Sequence, residues 1–274
     1  MKKVLLAFDG EHFSQGVFEF VKQMNKHQPV LAIGIFLPAV DYAELLYSYG
    51  GVPAGPLYIN DVITADEALV QKNIGIFKEL CEQNGIEYRI HSDTTTPIVN
   101  SLKEETRFAD LLVLNSRSFF ENTGPTVQED YITNVTHKAE CPVVLVPGDY
   151  KEPQNIILAY DGSTQSIFAI KQFSYLFPHY SGLKALLVYF TDTDEAIPER
   201  HKIEELMQCY YNHCTITKLK ITDQKEIEEW MSANGNSMIV AGAHGRPMVS
   251  EFFKKSFVTT ILRDHKLPVF VTHK

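Results

Sequence analysis

Two phrases decide how this chain is read: LLAFDG, Leu5 to Gly10, and ILAYDG, Ile157 to Gly162. Each is an apolar run that stops at one acid and a glycine. Two more phrases recur in the same order. ADLLVLNSRS (109–118) matches NSMIVAGAHG (236–245), with Asn115 opposite Gly242. AECPVVLVP (139–147) matches DHKLPVFVT (264–272), with Pro142 opposite Pro268. The interval 115 to 142 is 27 positions and 242 to 268 is 26, so spacing is kept as well as order. Order and spacing together mark a duplication.

The copies differ in length. From Asp9 to Asn115 is 106 positions and from Asp161 to Gly242 is 81, leaving 25 extra residues in the first copy. They are placed in 38–65, where Tyr, Gly and Pro cluster without clear periodicity, and a long loop is expected there. The join is expected within VPGDYKEPQN (146–155), giving a first domain 1–149 and a second 150–274.

Within each copy, short apolar runs alternate with amphipathic stretches. In the first, strands are expected at 3–8, 30–36, 86–91, 110–115 and 143–146. Helices are expected over 12–26, within 61–83, within 96–107 and from about 130. Phe13, Val17, Phe20, Val21 and Met24 share one helical face. The second copy gives strands at IILAY, ALLVYF, TITKLK, SMIVAG and VFVT. Five buried strands separated by helices predict an α/β fold: two tandem, doubly wound, five-stranded parallel-sheet domains.

Composition narrows the function. The chain has 274 residues, 45% hydrophobic and 22% charged, with a net charge of −9 and no Lys/Arg run, so neither nucleic acid nor membrane is expected as a partner. MKKVLLAFDGE lacks the cleavage site of a leader and is read as a first buried strand. Four cysteines do not make a disulfide framework in a chain this long, and the cytoplasm is the expected address. CYYNHC (209–214) is one short cluster without the paired spacing of a zinc site and is read as a helix end. No GxSxG, HExxH or phosphate-loop motif of a known catalytic kit is present.

Ligands of open α/β sheets bind beyond the carboxyl ends of the strands, where strand order reverses. Asp9 and Asp161 stand at such ends, either capping the next helix or facing a ligand. A phosphoacceptor receiver domain would need clustered carboxylates. Here the first strands end in a lone acid, and the third strand of the second copy ends LKIT, without one. GAHGRPMVSEFFKKSFVTTIL (242–262) then leaves a strand through Gly242 and Gly245, runs nine residues (246–254), and enters an amphipathic helix at Lys255-Ser256-Phe257. Glycines and a Ser-capped helix start suit an anion. Arg246, Lys254 and Lys255 against Glu251 make 246–256 locally +2.

With these residues the chain resembles the universal stress protein family, along nearly its whole length and as a tandem pair. The family pattern is Gly-x2-Gly, nine residues, then Gly-Ser/Thr, working with an Asp after the first strand. The resemblance implies an adenine nucleotide alpha hydrolase-like fold. It further implies ATP, or another adenine nucleotide with Mg2+, in the second copy alone. There Asp161 would meet the adenine end, and Gly242, Gly245 and Ser256 the ribose and phosphates; Arg246, Lys255 and Phe257 beside them are further candidates, and His244 is either a ligand contact or a loop histidine. Lys255 departs from the family, which has glycine there; its side chain either blocks close approach of a phosphate or pairs its ammonium with one. The first copy departs further: Asn115 and Ser118 replace the glycines, and 119–130 is locally −3. A phosphate is not expected beside those carboxylates.

The resemblance also implies contact through the last strands, VVLV and VFVT, as an intramolecular pseudo-dimer, with a homodimer of whole chains left open. The expected role is a stress-response or regulatory binding module without catalytic residues. A slow ATPase, and a scaffold or small-ligand module without nucleotide, remain the alternatives.

Overall fold

The computed structural model describes residues 1–9, 12–37, 56–91, 98–116, 135–136, 138–191, 194–220, 224–242 and 266–272. The first copy runs β1 (Lys2–Asp9), α1 (Gln15–His27), β2 (Val30–Leu37), α2 (Pro56–Gln83), β3 (Glu87–His91), α3 (Ile98–Thr106), β4 (Leu111–Asn115) and β5 (Val143–Val146). The second runs β6 (Asn155–Tyr160), α4 (Thr164–Leu176), a 3-10 turn (Pro178–Gly182), β7 (Lys184–Thr191), α5 (Arg200–Tyr210), β8 (His213–Lys220), α6 (Gln224–Ala233), β9 (Ser237–Gly242) and β10 (Val269–Thr272). Each copy supplies five strands, and the fold is the expected pair of doubly wound α/β modules.

The strands form where they do because their side chains are apolar on both faces, as helix-covered parallel strands require. Val4 to Phe8 on β1 and Met238 to Val240 on β9 are essentially inaccessible. In the first copy β1 lies between β2 and β4, all parallel, with β3 beyond β2. In the second, β6 lies between β7 and β9, with β8 and β10 outside them, again all parallel. α1 buries Val17, Phe18, Phe20, Val21 and Met24, the expected face with one more ring. Phe13 precedes the helix and stacks on Phe8, with ring centroids 4.8 Å apart.

Two expectations change. The stretch 38–65 is not a loop throughout, because 56–65 is the start of the 28-residue α2. Pro56 sits at the first helical position, where its missing N–H is harmless, and no Gly or Pro interrupts the next eighteen residues. At 1.5 Å per residue α2 is about 42 Å long. The remainder, 38–55, lies outside the described residues.

The second change concerns the join. The chain parts into compact units Met1–Cys141 and Pro142–Lys274, where the sequence suggested 149/150. β5 therefore goes with the second unit. There it pairs antiparallel with β10, Leu145 opposite Val269, Val144 opposite Phe270 and Val143 opposite Val271. This is the contact expected between VVLV and VFVT. Phe270 carries the strand into the core of that unit, edge-on to Phe173 at 5.3 Å. Among the described residues no helix is long and apolar enough to cross a membrane.

A bare β10 would be a short apolar edge, which invites pairing with other chains. A fragment 142–274, which keeps β5, is expected to unfold at a higher temperature than a fragment 150–274, which loses it and bares β10. Thermal denaturation of the two checks the assignment.

Candidate functional site

In the second copy, chain order departs from β6 in both directions: to β7 on one side and, after two further crossovers, to β9 on the other. The crevice beyond the carboxyl ends of β6 and β9 is thus a switch point of the kind that holds ligands in such sheets. Asp161 and Gly242 stand at its two sides, at the ends of β6 and β9.

Asp161 does not cap the following helix. Ser163 does: it has extended backbone (φ −76, ψ 157), and its Oγ accepts from the Ser166 amide at 3.1 Å. Asp161 acts one step earlier, its Oδ1 accepting from the Ser163 amide at 2.9 Å. That bond closes an Asx turn around Gly162 and fixes the carboxylate against the start of α4. The second carboxylate oxygen remains an acceptor beside the positive end of the α4 dipole. The first turn of α4 contains no acidic residue that would occupy that end.

Two glycines make this arrangement possible. Gly162 has φ +75, where L side chains are strained, and a Cβ there would stand 2.7 Å from Cβ of Pro198. At Gly242 a Cβ would stand 2.7 Å from the carbonyl carbon of Gln165 and 2.9 Å from the Ser166 amide nitrogen. The end of β9 thus abuts the backbone of α4's first turn with nothing between. Sequence reasoning assigned Gly242 to ligand approach; in the structure the Cβ side of Gly242 faces the backbone of α4. Ser163, Tyr160 and Pro198 went unnoticed. Ser163 could have been found, since a Ser just before an apolar-periodic helix is a cap signal. The Pro198 contact has no signal in the sequence.

The first copy solves the same junction differently. The N-cap of α1 is Ser14, five residues after Asp9 (9 to 14), whereas Ser163 is two after Asp161. The helix start is displaced, and a side chain fills the gap. Asn115, opposite Gly242 in the repeat, donates from Nδ2 to Ser14 Oγ at 2.6 Å, and both residues are buried. Phe13, one of the added residues, lies on the Phe8 ring. Ser116 follows, its hydroxyl buried and without a partner among the described residues.

Of the predicted site residues, the structure brings Asp161 and Gly242 to one crevice. His244, Gly245, Arg246, Lys255, Ser256 and Phe257 lie outside the described residues. The CYYNHC segment spans a helix end and an edge strand, with Cys209 exposed on α5 and Cys214 half-buried on β8.

The whole architecture has counterparts among solved structures. A universal stress protein from Archaeoglobus fulgidus DSM 4304 superimposes with a TM-score of 0.70, covering 100% of this chain and 96% of that one at 14% identity. The chain has the universal stress protein fold. A proposed universal stress protein from Pseudomonas aeruginosa UCBPP-PA14 covers 100% of this chain and 93% of its own, at 12% identity and a TM-score of 0.55. No protein-family model matches the sequence, and no curated protein does. At such identities the likeness is one of backbone.

The Gly242 contact yields a direct test. Gly242→Ala is expected to destabilise the second unit by about 1–3 kcal/mol, because the new methyl meets backbone that cannot rotate away. Gly182→Ala, where a Cβ meets nothing within 4 Å, should stay within about 0.5 kcal/mol. Urea denaturation of the two variants separates them.

Proposed function

We propose that this is a tandem universal-stress-type protein whose second copy binds ATP or another adenine nucleotide, as a cytoplasmic stress-response module and not a dedicated enzyme. The observation that carries the reading is the junction at the end of β6. One oxygen of Asp161 locks the turn, which sets the carboxylate at a switch point lined by a helix N-terminus. A carboxylate is an acceptor for the donor groups of a base or ribose. Phosphates would be met by Gly245, Arg246, Lys255 and Ser256, with His244 and Phe257 beside them, and Mg2+ would accompany the phosphates. The first copy is left without nucleotide in this reading, because Asn115 and Phe13 fill the corresponding junction with the protein's own side chains.

Calorimetric titration of ATP, with and without Mg2+, into the intact chain tests this. One site per chain is expected. Asp161→Asn keeps an oxygen for the Ser163 amide but removes the charge, and should weaken ATP about 10- to 100-fold, the worth of a charged hydrogen bond. No heat at millimolar ATP from a folded chain would overturn the reading in favour of a scaffold. Lys255→Gly should weaken ATP while leaving adenosine unaffected, since an ammonium near phosphate matters only to the charged ligand.

A further inference from the structure

The connection from β7 to α5 crosses the Asp161 turn, and its described part, 194–199, is tied down at four places. Tyr160 donates its hydroxyl to the Pro198 carbonyl at 2.9 Å. The Pro198 ring lies against Gly162 so closely that no Cβ could enter. Lys218 donates from Nζ to the Glu195 carbonyl at 2.7 Å, and Lys220 reaches Asp194 Oδ1 at 3.4 Å. The segment then ends at Glu199, a non-glycine residue in the left-handed region (φ 46), paired with Lys202 at 2.6 Å. A backbone held in that region persists only where its surroundings over-determine it.

Resting on the nucleotide reading above, we propose that 194–199 is a strap that holds the Asp161–Gly162 turn in its ligand-binding geometry, latched by Tyr160 and Lys218 as positioning residues. The reasoning is mechanical. Gly162 has no side chain with which to pack, and at φ +75 it is a natural hinge. Two things restrain it, the Asx bond of Asp161 and the proline ring above. Tyr160 immediately precedes Asp161, so one residue pair fixes both the strand end and the strap over it. Burial, then Glu199 and Asp161, hold the Tyr160 phenol above its usual range, so it remains a hydrogen-bond donor through neutral pH. Lys218 stands on β8, the outer strand of this unit, and secures the far end of the strap through a backbone carbonyl. The Lys218 latch therefore depends on the backbone at Glu195 and not on the identity of its side chain.

The test uses the full chain and three variants. Tyr160→Phe keeps the ring and removes the donor; Lys218→Met keeps the stem and removes the ammonium. Tyr211→Phe is the control, because its hydroxyl pairs with Ser174 at 3.2 Å in the same copy and its loss is of the same kind. ATP affinity is read by calorimetry, and amide exchange across 162–163 and 194–199 is read without ligand. Tyr160→Phe and Lys218→Met are each expected to weaken ATP about 3- to 10-fold, a modest hydrogen bond's worth, and to speed exchange in both segments. Tyr211→Phe should do neither. Wild-type affinity in the two latch variants, or an equal loss in the control, overturns the strap. Absence of ATP binding to the wild-type chain instead overturns the nucleotide reading and the strap's role with it, a result distinct from the first. Should Tyr160→Phe fail to fold, Lys218→Met, altered at a surface bond, carries the comparison.

Discussion

The end of β9 has no room for a side chain. A Cβ at Gly242 would lie 2.7–2.9 Å from three backbone atoms of Gln165 and Ser166, and much of the second copy's local structure follows from that approach. A helix pressed this closely on the strand end must begin almost as soon as β6 finishes. Only Asp161 and Gly162 separate β6 from the cap, Gly162 must turn through a positive φ, and Ser163 must cap at once. The Asx bond from the Ser163 amide to Asp161 is then the shortest way to close the turn. The carboxylate's position at the crevice is a consequence of packing before it is a matter of ligand chemistry.

The first copy shows what happens when that approach is relaxed. Three further residues lie between the Asp-Gly phrase and the cap (9 to 14 against 161 to 163), and Asn115 stands where glycine is no longer required. A buried amide must be hydrogen-bonded or it costs stability, and Asn115 meets this by reaching Ser14, whose Oγ also accepts from the Val17 amide. One hydroxyl thus serves both cap and strand end. A single repeat unit has two self-consistent solutions at the same junction, one closed by backbone contact and one by side chains.

The sheet and its strands were legible in the sequence because Val4–Phe8, Leu111–Leu114 and Met238–Ala241 are buried on both faces and read as unbroken apolar runs. The repeat added the rest, since each copy constrains the other. What was not legible depends on contacts between distant residues. The aromatic and small residues of 56–65 hid a helix start that Pro56 could have signalled. The packing of Gly242 on α4 was not legible, because close approach to a ligand and close approach to a helix leave the same letter. The fit of Pro198 against Gly162 joins residues thirty-six positions apart (162 to 198) and writes no local pattern at all.

The join between the copies carries the same lesson into energetics. Linker composition pointed to 146–155, and that stretch does connect the repeats, but connection and cohesion are different properties. Val143–Val146 is fully buried and apolar, and Val269–Val271 is likewise. Four-residue strands of this kind gain little from their own unit unless both edges are paired, because unpaired N–H and C=O groups beside apolar side chains satisfy neither water nor the core. β10 has β9 on one side, and β5 supplies the other. A strand encoded in the first repeat therefore completes the second unit. Pairing, and not repeat boundary, thus decides to which unit the strand belongs.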